Sequence, residues 1–154
     1  MNITFTLATQ ADLDLLLEFM REFYAHEQIA FDERVARAAM GGLISDRSLG
    51  RVWLIREGDE AVGYTVVTLG YSLEFAGRDA ILDELFVREA HRGKGIGKAT
   101  LAFVEKACQT LGAAALHLVV ERENARAQAV YDKAGFSKQD RFLMTKRIAL
   151  ASNQ

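Results

Sequence analysis

The sequence predicts a mixed α/β fold with the element order β-α-α-β-β-β-α-β-α-β. Three observations carry that expectation. Short apolar runs rich in β-branched residues mark strands, apolar residues three and four apart mark helices, and a glycine-rich turn joins one strand directly to one helix. With 154 residues, half of them hydrophobic, the chain has the size of a single domain over 1–154 and enough apolar material for one core.

Ile3, Phe5 and Leu7 alternate with Asn2, Thr4 and Thr6, the period of a half-buried strand over 2–8. Leu13, Leu16, Leu17, Met20, Phe23 and Tyr24 then form one helical stripe, with Asp14, Glu18, Arg21 and Glu22 opposite. Val35, Ala38, Ala39 and Leu43 predict a second helix over Asp32–Ile44, its last turn weakened by Gly41-Gly42. Two β-branched runs, Arg51–Arg56 and Ala61–Leu69, flank a hairpin turn at Glu57-Gly58-Asp59-Glu60, and residues 80–87 supply a third adjacent antiparallel strand. After the glycine-rich turn at 93–97, Leu101, Val104, Cys108 and Leu111 form the inner stripe of a helix that Gly112 ends. Ala115–Val120 reads as a fifth strand, 125–134 as a short helix stopped by Gly135, and 141–150 as a closing strand.

Composition excludes several function classes. A net charge of −2 provides no broad basic surface, so nucleic acid is not an expected partner. No apolar run approaches the roughly 20 residues that span a bilayer, and Met1–Ala8 lacks a leader pattern, so no membrane partner is expected. A single cysteine, Cys108, forms no intrachain disulfide and fits a cytoplasmic location; on the apolar stripe of its helix it reads as a core residue. His26, His91 and His117 are far apart in sequence, and no metal is expected.

The segment Arg92-Gly93-Lys94-Gly95-Ile96-Gly97-Lys98 carries the most chemistry. Its glycines let the backbone turn tightly and approach a ligand, and the helix start that follows offers unpaired N–H groups at a positive dipole end. Such a turn suits a phosphate. An NTP-binding P-loop would need glycine at 92 and Ser or Thr at 99, where Arg92 and Ala99 stand, and the dinucleotide fingerprint would need glycine at Lys98. Both patterns fail.

What remains resembles the Arg/Gln-x-x-Gly-x-Gly pyrophosphate loop of the Gcn5-related N-acetyltransferase (GNAT) superfamily. A second block, Asn124-Ala125-Arg126-Ala127-Gln128-Ala129-Val130-Tyr131-Asp132-Lys133-Ala134-Gly135-Phe136, is similar to that family's Asn-x-x-Ala-x-x-x-Tyr-x-x-x-Gly-Phe. The resemblance implies a GNAT-like acyl-CoA N-acyltransferase fold, acetyl-CoA as co-substrate and an amine as acceptor. It implies cofactor contacts from Leu85, Phe86 and Val87 and from Arg92, Gly93, Lys94, Gly95, Ile96, Gly97 and Lys98. Asn124 would meet the pantetheine arm or cap its helix, and Tyr131 would lie near the thioester sulfur. Two positions depart from common family patterns: Glu89 stands where a proline is frequent, and Val119 where many protein N-terminal acetyltransferases carry glutamate.

Acetyl transfer needs a neutral amine, and a lysine-like amine is neutral only about once in a few thousand molecules at pH 7. A base is therefore expected, and the paired carboxylates Asp83 and Glu84 precede the carbonyl-binding stretch Leu85–Val87. Alternation along a strand would send them to opposite faces unless a bulge intervenes. Tyr131 is the expected proton donor to the leaving thiolate. Glu74, Asp79, Asp83 and Glu84, with Glu22, Glu27, Asp32 and Glu33, would line an acidic pocket for a small cationic amine. Alternatives are a protein lysine or N-terminal acetyltransferase and a non-catalytic acyl-CoA-binding module. The final segment is also a candidate for pairing across a homodimer, by the architecture the resemblance implies.

Overall fold

A computed structural model describes residues 2–151. Five strands form one sheet in sequence order: β1 (Ile3–Leu7), β2 (Gly50–Glu57), β3 (Glu60–Ser72), β4 (Gly77–Val87) and β5 (Leu116–His117). β1 to β4 pair antiparallel and β5 joins β4 in parallel, making the sheet mixed as expected. Helices α1 (Leu13–His26) and α2 (Glu33–Ser45) precede β2, α3 (Ile96–Thr110) links β4 to β5, and α4 (Ala125–Lys133) follows β5.

The expected stripes build two main cores. Leu16, Leu17, Phe19 and Met20 of α1 and Ala36 and Met40 of α2 pack on one face, against Val52, Leu54, Tyr64, Val66 and Phe86. Leu101, Val104 and Cys108 of α3 pack on the other, against Trp53, Val67, Ala80 and Leu82. Val52 and Leu54 therefore face α1 while Trp53 between them faces α3, the two-residue alternation of a strand covered on both sides. α2 starts at Asp32, whose carboxylate accepts from the backbone N–H groups of Arg34 at 3.0 Å and Val35 at 3.3 Å. Gly41 and Gly42 lie inside this helix and do not end it.

One irregularity in β4 organises the rest. Val67 lies opposite Leu82 and Val66 opposite Glu84, so Asp83 is an extra residue with no partner in β3. The extra residue reverses the facing of the strand. Ala80 and Leu82 point toward α3, whereas Phe86 points toward α1. The buried Thr65 hydroxyl donates to the Glu84 carbonyl at 3.0 Å, satisfying a backbone group at the irregularity.

Two expectations about the end of the sheet need correction. The fifth strand, expected over Ala115–Val120, pairs only at Leu116 and His117, opposite Ala80 and Ile81. Pairing stops two residues before the bulge, where β4 changes phase. The closing strand expected over 141–150 is not formed among the described residues: there this segment has no strand partner, and Phe142, Leu143, Met144, Ile148 and Leu150 are exposed. Among the described residues, no helix is long and apolar enough to cross a membrane.

Two glycines test the packing in opposite directions. A Cβ on Gly63 would stand 2.0 Å from the Phe86 carbonyl oxygen, whereas one on Gly42 would meet nothing within 4 Å. Gly63→Ala is expected to destabilise by about 1–3 kcal/mol through overpacking. Gly42→Ala should stabilise by up to about 1 kcal/mol through helix propensity. Urea unfolding of both variants checks the pair.

Candidate functional site

The glycine-rich turn lies where β4 hands over to α3. Gly93 and Gly95 have φ of +78° and +87°, in the left-handed region, and Gly95 is the N-cap of α3. Such a cap has no side chain to satisfy the first N–H groups, which leaves them to a ligand. A cleft of about 210 Å³ opens beside them, lined by Leu85, Val87, His91, Arg92, Gly93, Gly95, Ile96 and Gly97. Its strand wall is an open edge: among the described residues β4 pairs with β5 only through Ala80 and Ile81.

The charged residues of the turn point different ways. The Arg92 guanidinium donates through Nε to the Val87 carbonyl at 2.7 Å and lies over the Phe86 ring, 5.6 Å from its centroid. Lys94 reaches Glu57 at the end of β2 at 3.2 Å, and the same carboxylate accepts from His91 Nδ1 at 2.8 Å. These two partners hold the Glu57 carboxyl below the usual carboxylate range, His91 having the larger effect. Lys98 is exposed in the first turn of α3. Phe86, between the cleft residues Leu85 and Val87, does not line the cleft; its side chain is in the core on the α1 face.

The two candidate carboxylates sit at the bulge. Glu84, turned toward α1, accepts from the Tyr24 hydroxyl at 2.5 Å on Oε2 and from the Tyr64 hydroxyl at 2.8 Å on Oε1. Burial raises its pKa and the charge of Asp83 adds to the rise, while the two phenols oppose it. Asp83 is solvent-exposed, but the protein mass around it still lifts its pKa. Burial is the main cause that raises the pKa of both phenols, with Glu84 contributing next and Asp83 least.

A family model described as the acetyltransferase (GNAT) family matches residues 13–136, most of the chain. The protein belongs to the GNAT acetyltransferase family. An uncharacterized N-acetyltransferase of Bacillus subtilis, YycN, is 31% identical over 71 residues, 46% of this chain and 45% of that protein, so the match spans less than half of the relative. An integron cassette protein from the mobile metagenome of Cole Harbour Salt Marsh is 37% identical, with a TM-score of 0.84 over 96% of this chain and 91% of that one. An aminoglycoside N-acetyltransferase, AAC(6')-Iy, solved in complex with CoA, shares the fold at 15% identity, with a TM-score of 0.80 over 96% of each chain.

The second GNAT block forms α4 and its cap. Asn124 Oδ1 accepts from the Ala127 N–H at 3.1 Å, so its side chain caps the helix. Tyr131 is half-buried against Phe136, with ring centroids 5.9 Å apart, and burial together with the charge of Glu27 raises its pKa. Cys108 is a buried core thiol, its pKa raised by burial. The expected acidic pocket shrinks in this GNAT structure. Glu74 pairs with Arg141, Asp79 with His117, Glu22 with Arg88 and Glu33 with Arg21, and Asp32 caps α2. Asp83, Glu84 and Glu27 remain of the group. Tyr24 and Tyr64 are the site residues that sequence reasoning misses: one lies on the apolar stripe of α1 and the other inside an apolar strand, so both read as core aromatics.

The raised pKa of Asp83 has a thermodynamic sign. A carboxylate with a higher pKa folded than unfolded costs stability once the pH passes its unfolded value. Asp83→Asn is therefore expected to raise Tm at pH 7, and the gain should vanish below about pH 4, where Asp83 is protonated in both states. Calorimetric melts at the two pH values check this.

Proposed function

We propose that this protein is an acetyl-CoA-dependent N-acetyltransferase acting on a primary amine of a small, cationic acceptor. The observation that carries the reading is the left-handed glycine turn at the start of α3, beside an open stretch of β4 that begins at two adjacent carboxylates. The CoA complex of the similarly folded aminoglycoside acetyltransferase supports both the ligand and a cationic acceptor.

In this reading the backbone of Gly93, Gly95, Ile96 and Gly97 holds the pyrophosphate, with Arg92, Lys94 and Lys98 at its margin. Asn124 meets the pantetheine arm while capping α4. Backbone N–H groups within Leu85–Val87 hold the thioester carbonyl oxygen as negative charge builds on it. The ammonium of the acceptor loses its proton to Asp83, the exposed member of the carboxylate pair, and its nitrogen attacks the carbonyl carbon. The N–C bond forms as the nitrogen gives up its second proton to solvent, the C–S bond breaks, and the thiolate takes the Tyr131 hydroxyl proton. Solvent then reprotonates Tyr131 and takes the proton held by Asp83. A tyrosine hydroxyl is protonated at neutral pH, so this proton is in place at the start of each turnover.

We also read the protein as a cytosolic homodimer. Phe142, Leu143, Met144, Ile148 and Leu150 are exposed, α4 buries no residue, and among the described residues β5 has no second partner strand. A second copy of this chain is the partner that would offer this apolar segment an edge. Sedimentation should find a dimer for the full chain and a monomer when residues 140–154 are removed; a monomeric full chain rejects this assembly.

Calorimetric titration with acetyl-CoA, CoA, NAD and ATP tests the cofactor, with micromolar binding of the CoA pair alone as the expected result. Gly95→Val should abolish that binding, because its φ of +87° strains a branched residue and the side chain would displace the anion. Tyr131→Phe should leave binding intact and lower kcat by about 10²-fold or more. Unchanged turnover removes Tyr131 from its role.

A further inference from the structure

Glu84 is held more tightly than a general base requires. Both of its carboxylate oxygens accept a phenol hydrogen bond, from two separate elements of the fold. Tyr64, on β3, is fully buried, and Tyr24, on α1, is fixed by Phe31, 5.7 Å away and edge-on, and by Phe23 at 5.8 Å. Phe23 also meets Tyr64 edge-on at 6.4 Å, so the two phenols share one aromatic wall. The titratable groups that act on Glu84 are Tyr24, Tyr64 and Asp83, and among the described residues it makes no ion pair. An ionised carboxylate in this setting has hydrogen-bond donors but no counter-charge among the described residues. Each oxygen keeps a second lone pair for an incoming donor.

We infer that Tyr24 and Tyr64 are positioning residues for the acceptor: they lock Glu84 in one orientation as an anion that receives an alkylammonium beside Asp83. The inference rests on the acetyltransferase reading and adds a division of labour to it. Glu84 anchors the cation and Asp83 takes its proton. A phenol donating to a carboxylate favours the charged form, so removing the hydroxyls makes Glu84 harder to ionise. The supplied counter-charge is then the substrate's own, which selects cationic amines over neutral ones of the same shape.

The experiment compares wild type, Tyr24→Phe, Tyr64→Phe and the double variant, using 1,4-diaminobutane and aniline as acceptors. The expected result for the double variant is an acid limb of kcat/KM for the diamine moved up by about one pH unit. KM for the diamine should rise about tenfold, with a smaller change in kcat and no matching change for aniline. Folded variants whose pH limb and diamine-to-aniline ratio match wild type overturn the inference, since a merely structural role would lower only Tm. Carboxylate NMR titration of the wild type and the double variant gives a readout independent of turnover. Loss of the two phenol donors should move the Glu84 carboxyl to higher pKa, and an unmoved titration shows that the clamp does not exist. If wild type acetylates neither amine, the acceptor reading fails, and the titration alone still decides whether the two phenols hold Glu84.

Discussion

The single extra residue in β4 is the constraint on which the site depends. A strand buried on both faces normally commits each side chain to a side by simple alternation. Asp83 breaks that count, sending Ala80 and Leu82 to α3 while Glu84 and Phe86 go to α1. The same irregularity lies just beyond the last residue that β5 pairs with. One inserted residue thus coincides with an open strand edge and places two carboxylates at its start. Without it, the residues after position 83 would exchange faces, and Phe86 would leave the core it shares with Phe19 and Phe23.

The two halves of the site handle charge by different means. At the glycine turn, attraction for an anion comes from backbone N–H groups and the helix dipole, which need no side-chain placement. At the carboxylate pair, charge is held in a partly buried setting at a cost in stability, offset by phenol hydrogen bonds. Glycine at 63 connects the two ends. It lets β3 approach the backbone of Phe86 and Val87, so the strand edge beside the cleft is set by a residue with no side chain.

Much of this architecture was legible in the chain. The stripes of α1 and α3 and the alternation of β2 are local patterns, and the structure contains them with small changes at the ends. The glycine turn was readable because φ > 0 at two positions limits the residues that fit. The bulge was not readable, since Leu82-Asp83-Glu84 has no local feature that separates a regular strand from one with an inserted residue. Tyr24 and Tyr64 stayed hidden for the same reason, because their value comes from a partner 60 and 20 residues away in sequence. The segment 141–150 shows the opposite failure. Its composition suits a strand, but a strand needs an edge, and its own sheet offers it none that it reaches.

Glu57 has a further consequence for how an anion arrives. By binding both His91 and Lys94, it offsets part of the positive charge of the turn before any ligand is present and leaves Arg92 and Lys98 to meet an arriving anion. Their field fades over a Debye length of about 8 Å at physiological ionic strength. Capture then combines a short-range attraction with contact to oriented N–H groups. Entry of an anionic ligand would slow as the ionic strength of the surroundings rises.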